Sequence, residues 1–555
     1  MTAHKRTLLL AMVALLCGLA VRPDGSAAPP GTARDSSGRA AAARFEAVRS
    51  VDGLTLIETS RRADAPRVSL PAQQASVAAL VGADRWRAAG FTGYGVRVAI
   101  VDQGFAGYEA LLGNGLPAGT RARSFRADRN IEAGSSHGTF AARVVAGMAP
   151  QAQLYLLNFS TQAELAALTT FLAQEQIQVV SYSLSSVFTG PGNGTGVVND
   201  LVGRSAAGLF WAVSAGNWSA QHWGGTFTDR SGNTVHEFAP GLEENGRLYR
   251  AQDLITVALR WDNVWGAACD DYDLELFGPD GALVRAAREL QECDDDPVER
   301  IEVLATRDGR YRARVIRVPG SAARRFDLVM LGTPDRGDAL DLSMAAGSLL
   351  EPADHPSVFT VGAASSLNFA QPSRFSSRGP TLDGRIKPDV IAPAGPQPFG
   401  DGEFAGTSAA TPYVAGAAAL LLEAFPGLSP RALATQLRER ALYLPPAGPD
   451  SDAGVGLLQM GTLSGLGPLL PAGASAATFT DFTPANAPLA VFRYRGPSGF
   501  PARFAYTLTG ARTPVAFYRL DIARARFDLF AMRAPTFVNT FDVFNDGDFI
   551  FVRFQ

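Results

Sequence analysis

One stretch constrains this chain more than any other. It is Gly406-Thr407-Ser408-Ala409-Ala410-Thr411-Pro412, running into the apolar segment Tyr413 to Phe425. From Val414 to Leu422 no residue is charged, and alanine, glycine and leucine dominate. A helix at the surface needs a polar face; this one has none, so it must be packed on all sides. Pro412 suits the first turn, where a missing N–H loses no intrahelical bond. Ser408 therefore stands at the N-terminus of a buried helix. Backbone N–H groups and the positive dipole end can there stabilise an oxyanion beside the hydroxyl. The plainer alternative is that Thr407 or Ser408 only caps the helix. The choice turns on whether the chain also supplies a base and a carboxylate to orient it.

The chain has 555 residues, enough for roughly three or four domains. A net charge of −3 with no basic run argues against nucleic acid as the main partner. Lys5 and Lys387 are the only lysines, so nearly all positive charge is arginine. The first residues read as a secretory signal over 1–28: Lys5-Arg6, an apolar core from Leu8 to Val21, then Ser26-Ala27-Ala28. That core is too short to span a bilayer comfortably, so no stable membrane span is expected in the mature chain, and a secreted or periplasmic location is. Residues 29–75 are rich in Ala, Arg and Ser and read as a short pro-segment or disordered extension, with one strand-like stretch from Leu54 to Glu58.

Ordered texture begins near Ser76. The run Val96-Arg97-Val98-Ala99-Ile100-Val101 reads as a buried parallel strand ending at Asp102. Further strands are expected at Leu154 to Phe159, Val179 to Ser185 and Leu209 to Val213, with helices at Ala163 to Gln174 and Asp200 to Ala207 between them. Such alternation predicts an α/β fold with a doubly wound parallel sheet, in which chemistry collects at the C-terminal strand ends. Asp102 and Asn217 fall at such ends, and His137 opens the helix-like run after Ser135-Ser136. Each alone has an ordinary reading, as a turn cap, a Gly-Asn turn or a structural histidine.

The texture changes from about 241 to 345. Short alternating strands, such as Ile255 to Trp261, Tyr272 to Phe277 and Phe326 to Leu331, predict an inserted β-sandwich or jelly roll. Cys269 and Cys293 both lie here, and an oxidising compartment favours one disulfide between them over two unpaired thiols. Asp270, Asp271, Asp273, Asp294, Asp295 and Asp296 flank them. Such oxygen clusters sometimes hold a structural calcium; solvated acidic loops are the favoured reading, and no metal ligand is assigned. The α/β texture resumes over 346–470, making 76–240 and 346–470 two parts of one domain. A small β module follows over 471–555.

Taken together, Asp102, His137, Asn217 and Ser408 come in an order, and with flanks, that resemble the subtilisin-like serine proteases. The matching stretches are Val98-Ala99-Ile100-Val101-Asp102, His137-Gly138-Thr139, Ser214-Ala215-Gly216-Asn217 and Gly406-Thr407-Ser408 with Pro412. Phe375 to Pro380 and Lys387-Pro388-Asp389 also look like that family. Any one motif is weak, but four in register are not. The resemblance covers roughly 80–240 and 350–460. It departs at Gln103, at Ala409 and at Ser185, none of which removes a reacting group.

The resemblance implies an endopeptidase of the Asp-His-Ser kind, with protein or peptide substrates and no cofactor required for catalysis. Ser408 would be nucleophile, His137 base, Asp102 its orienter and Asn217 the oxyanion donor. Ser183, Leu184 and Ser185 would pair with an extended substrate as an added strand. Two other classes stay open at this point. One is a silent scaffold whose β modules bind a protein or glycan. The other is an esterase, which the missing last glycine of a Gly-x-Ser-x-Gly elbow disfavours.

Overall fold

The computed structural model describes residues 77–461 apart from 333–338, 366–368, 370, 396, 400–401 and 445–448. It also describes residues 54 and 56–58, and seven strand segments between 478 and 554. The expected leader over 1–28, and most of the segment 29–75, lie outside the described residues.

A seven-stranded sheet forms the frame. Across it run Val390–Pro393, Phe359–Ala364, Phe210–Ser214, Val179–Tyr182, Arg97–Asp102, Gln153–Asn158 and Arg121–Ser124. Every neighbouring pair is parallel. The central strands are buried on both faces: Arg97–Asp102 has only Arg97 partly exposed, and Phe210–Ser214 is buried throughout. Continuous apolar sequence is what a strand covered on both sides requires. One face carries the helices Gln162–Gln174 and Val197–Ala206, whose leucines and valines share a core with Val101, Tyr182 and Trp211. The other face carries His137–Met148 and Thr407–Ala424.

The helix Thr407–Ala424 is buried along its whole length, as its uncharged sequence demands. Its one charged residue, Glu423, lies at the far end. There its carboxylate accepts from the backbone N–H groups of Thr92, Gly93 and Tyr94 at 2.5, 2.6 and 3.2 Å. Small residues set the closeness of its packing. A Cβ on Gly416 would come within 2.3 Å of Met148 Cβ on the neighbouring helix. Burying this many apolar side chains is the main stabilising term, so truncating a leucine such as Leu421 would cost about 2–5 kcal/mol.

Two four-stranded antiparallel sheets lie between His222 and Leu331. Their orders are Val298–Leu304, Leu254–Trp261, Arg325–Leu331, His222–Thr226 and Leu283–Ala287, Tyr272–Phe277, Gly309–Arg317, Asn245–Tyr249. Side chains from both sheets, among them Ile255, Leu259, Leu274, Val315 and Leu328, form one core. The strand His222–Thr226 already pairs with Arg325–Leu331, so antiparallel structure starts about twenty residues before the texture of the sequence changes. Gly224 and Gly225 hide that strand from a reading by alternation. His222 and His236, both in a polar stretch of sequence, are buried, with His236 ringed by Trp223, Phe227, Phe238 and Phe326. Burial pushes the His236 imidazole down to about 4, so it is neutral in this setting.

Cys269 and Cys293 form a disulfide across a sequence separation of 24. Asp270 beside it is engaged locally, accepting from Ala322 N, Asn263 Nδ2 and Arg324 Nε. Among the described residues no group of three or more His, Cys, Asp or Glu side chains is placed to hold a metal ion.

Glu299 in the same sheets gives a pH prediction. Its side chain is buried, and burial first, then the nearby negative charges of Glu289, Asp273 and Asp271, push its carboxyl up to about 8. Unfolded, it releases its proton near the ordinary glutamate value. The folded state therefore holds the extra proton between about 4.5 and about 8, and stability falls as pH rises through that window. Glu299→Gln is expected to flatten this slope and raise the melting temperature at pH 9 by a few degrees. Melting curves of the two proteins from pH 5 to pH 9 check it; parallel curves would refute it.

Beyond 461, a five-stranded antiparallel sheet runs in the order Thr478–Asp481, Leu489–Arg495, Phe549–Phe554, Pro514–Asp521, Arg526–Ala531. No helix among the described residues is long and apolar enough to cross a membrane.

Candidate active site

The strand Arg97–Asp102 ends at the carboxylate of Asp102, and the helix His137–Met148 begins at His137. The two side chains meet there. His137 Nδ1 lies 2.8 Å from both Asp102 oxygens, and both residues are 0% exposed. A carboxylate at that distance fixes Nδ1 as the protonated nitrogen. The approach depends on Gly138, where a Cβ would lie 2.8 Å from Asp102 Cβ and 2.5 Å from the Phe105 ring. Its N–H donates to Gly104 O at 3.0 Å, and the His137 N–H donates to Ser135 Oγ at 3.2 Å. A helix can therefore start against a strand end only because residue 138 has no side chain.

Ser408 sits in the first turn of Thr407–Ala424, beyond Gly406 at φ 96°. It is fully buried, and its Oγ donates to Ser183 O at 3.4 Å while Ser183 Oγ donates to Ser408 O at 3.3 Å. The nucleophile candidate is thus in touch with the first of the expected substrate-binding residues. Phe404, just before the serine turn, lies edge-on to the His137 ring at 5.2 Å between centroids. Asn217 follows the strand Phe210–Ser214. Its Oδ1 accepts from Thr407 N and Thr407 Oγ1, both at 3.1 Å. Those bonds turn the amide so that its donor, Nδ2, is the end directed away from Thr407.

All four candidates therefore gather at the C-terminal end of the parallel sheet. Thr407, which the sequence offers as a mere cap, is what orients Asn217. The expected linking stretch Phe375 to Pro380 also has a task here. Ser377 Oγ accepts from Trp218 N at 3.0 Å, and Ser377 N donates to Gly216 O at 2.8 Å, which pins the turn carrying Asn217. Lys387 and Asp389 play a different part, as a buried pair at 2.7 Å with Arg438 beyond them.

One positioning residue escaped sequence reasoning. Asn158, at the end of the strand Gln153–Asn158, is fully buried and donates through Nδ2 to Gln103 O at 3.1 Å and Asn130 O at 2.9 Å. It holds the loop that leaves Asp102. Its signal in the sequence is an asparagine closing an apolar run, the same pattern that marks Asn217. The departure at Gln103 leaves the backbone bonds of this turn in place. The Gln103 backbone N–H donates to Asp102 Oδ1 at 2.8 Å and its carbonyl accepts from Asn158 Nδ2 at 3.1 Å.

The expected substrate strand is interrupted. Val179–Tyr182 belongs to the central sheet, Ser183 breaks it, and Leu184–Ser186 is a separate short strand. The edge of Leu184–Ser186 is already occupied. Leu56–Glu58 pairs with it antiparallel, Leu56 opposite Ser186, Ile57 opposite Ser185 and Glu58 opposite Leu184. Leu54 and Leu56 are buried in the core that contains Leu184.

Residues 341–456 match the family model described as the Subtilase family. Pyrolysin of Pyrococcus furiosus is 26% identical over 254 residues, which are 42% of this chain and 17% of pyrolysin. Subtilisin of Bacillus pumilus is 42% identical over 98 residues, 17% of this chain and 33% of that protein. The chain thus spans a third or less of the length of these relatives. The solved structure of the Clostridium perfringens CspB protease aligns with 68% of this chain and 97% of its own, at 19% identity and a TM-score of 0.48. The stretch that matches the Subtilase family model, residues 341–456, includes Ser408.

Proposed function

We propose that this chain is an exported serine endopeptidase that cleaves protein or peptide substrates through an acyl-enzyme. The observation that carries the reading is the bracketing of His137 Nδ1 by both Asp102 oxygens at 2.8 Å, at the same end of the parallel sheet as a serine opening a buried helix. Ser408 Oγ attacks the scissile carbonyl. His137 Nε2 takes the hydroxyl proton and passes it to the leaving amine. Asp102 holds the tautomer and stabilises the imidazolium without taking the proton. Asn217 Nδ2 and the Ser408 backbone N–H donate to the oxyanion. Water then repeats the cycle on the acyl-enzyme, with His137 again as base. No cofactor is needed for these steps.

The domain reading belongs to the same proposal. The parallel-sheet parts form one catalytic domain, interrupted by a β-sandwich that starts by His222, and a C-terminal β module follows. The leader-like sequence at 1–28 directs export, to the periplasm or the exterior.

Residues 29–75 act as a pro-segment that restrains the enzyme. The antiparallel pairing of Leu56–Glu58 with Leu184–Ser186 takes the edge that a substrate strand requires. The complete burial of Ser408 and His137 agrees with a covered site. The test is labelling of the purified protein with a fluorophosphonate serine probe, beside Leu56→Asp. A charge at this buried position releases the strand. Leu56→Asp is expected to label several-fold faster than the unaltered protein. Equal rates would sink the restraint. Absence of labelling in both proteins would sink the protease reading and leave a binding scaffold.

A further inference from the structure

The two antiparallel sheets do not merely sit beside the catalytic domain. Two arginines on paired strands reach out of them, Arg260 from Leu254–Trp261 and Arg300 from Val298–Leu304. Both donate to backbone carbonyls just after the strand Leu184–Ser186. Arg260 Nη1 bonds Gly190 O at 2.9 Å, and Arg300 Nη2 bonds Val187 O at 2.6 Å. Arg260 also lies over the Phe188 ring, 4.3 Å from its centroid.

Glu351 completes the clasp from the catalytic side. Its backbone O accepts from Ser186 N at 2.7 Å, its Oε2 from Thr189 N at 3.2 Å, and its Oε1 from Arg260 Nη1 at 2.8 Å. The second Arg260 nitrogen, Nη2, is held by Asp327 Oδ2 at 3.1 Å, itself braced by His222. Arg260, Asp327 and Glu351 are all nearly or wholly buried. Around them Val187, Phe188 and Trp218 pack against Ala258, Val329 and Leu331 of the sheets. Trp218 directly follows Asn217. Space is kept for the guanidinium by Gly192, where a Cβ would lie 2.7 Å from Arg260 Nη2.

A buried ion pair of this kind seldom adds net stability over an apolar replacement. Its forked geometry, by contrast, fixes direction, which a lysine does not. We propose that Arg260 is a positioning residue for extended substrates: from the inserted sheets it fastens the segment 186–190 to Glu351, and so sets the strand Leu184–Ser186 against which the substrate chain lies. This rests on the protease reading above. Substrate residues far from the scissile bond need that strand, whereas a single-residue ester meets only Ser408, His137 and Asn217.

The experiment compares the purified protein with Arg260→Lys and Arg260→Ala on a tetrapeptide amide and on a single-residue ester, and measures hydrogen exchange at residues 183–190. Arg260→Lys is expected to raise KM for the tetrapeptide about tenfold with kcat nearly kept, the loss of a uniform binding contribution. The ester should change less than about twofold, and exchange at 183–190 should quicken. Arg260→Ala should do the same more strongly; if it does not fold, Arg260→Lys decides. Equal losses on both substrates with unchanged exchange would assign Arg260 a general structural role and overturn the proposal. So would no loss on either. If the wild type cleaves neither substrate, and Leu56→Asp, which frees the strand edge, cleaves neither as well, the result counts against the protease reading alone. Exchange at 183–190 would then judge the positioning by itself, quickened exchange supporting it and unchanged exchange overturning it.

Discussion

Ser408→Ala is expected to lower peptide hydrolysis by about 10⁶ in kcat, His137→Ala by a similar factor, and the double variant by no more than either. That size is the one measured for a subtilisin. The non-additivity, however, follows from the arrangement. On the proposed mechanism every proton that His137 moves belongs to a step that needs the Ser408 hydroxyl or its acyl-enzyme, so once the hydroxyl is gone the base has nothing left to do. The prediction is checked by single-turnover cleavage of one peptide with all three variants. A double variant that loses the product of the two single losses would mean that the residues act independently, and the proton-transfer assignment would fall. Melting temperatures should barely move in Ser408→Ala, since only one hydroxyl is removed and its bond to Ser183 O is long, at 3.4 Å.

The second large effect concerns Asn217. Asn217→Ala is expected to lower kcat by about 10²–10³ with KM nearly unchanged, because the amide serves charge that appears only in the transition state. That factor too comes from a subtilisin. This structure adds a complication and a control. Asn217 Oδ1 accepts two bonds from Thr407, one of them from its backbone N–H. Alanine therefore also leaves a buried N–H without its acceptor, which costs about 1–3 kcal/mol. Asn217→Asp keeps an acceptor facing Thr407 and removes the donor. It should hold the melting temperature nearer the wild-type value while losing kcat at least as severely. A variant that raised KM at unchanged kcat would show Asn217 to be a ground-state contact, and the oxyanion assignment would fail. Steady-state kinetics and melting curves on both variants separate the catalytic loss from the structural one.

Much of the site is local information. The strand ending at Asp102, the helix starting at His137 and the helix opening with Thr407-Ser408 are each written in a short stretch of pattern. Continuous apolar residues cannot face water, so the Val98-to-Val101 run had to become a covered strand and Val414 to Leu422 a covered helix. The small residues at 138 and 406 had to be where the backbone turns or approaches another element. The order of the four candidates and the change to β texture were legible for the same reason, because period and turn chemistry are properties of neighbours in sequence.

Other features are decided only by residues far apart in the chain. Nothing near Thr407 says that it will hold Asn217, a partner 190 positions away. Asn158 looks like a strand end until the loop it ties down is in place. His222–Thr226 carries two glycines and a buried histidine, and only its partner strand makes it part of a sheet. Arg260 and Glu351 are separated by 91 positions, and nothing near either one names the other. Burial turns them into a directed pair. The strand Leu56–Glu58 is visible as a short apolar stretch, but which edge it covers is a matter of register with Leu184–Ser186. The sequence by itself determined the chemistry available and the elements that carry it. The tertiary structure decided which groups face each other, because hydrogen bonds and ion pairs depend on distances of a few ångströms that no local pattern encodes.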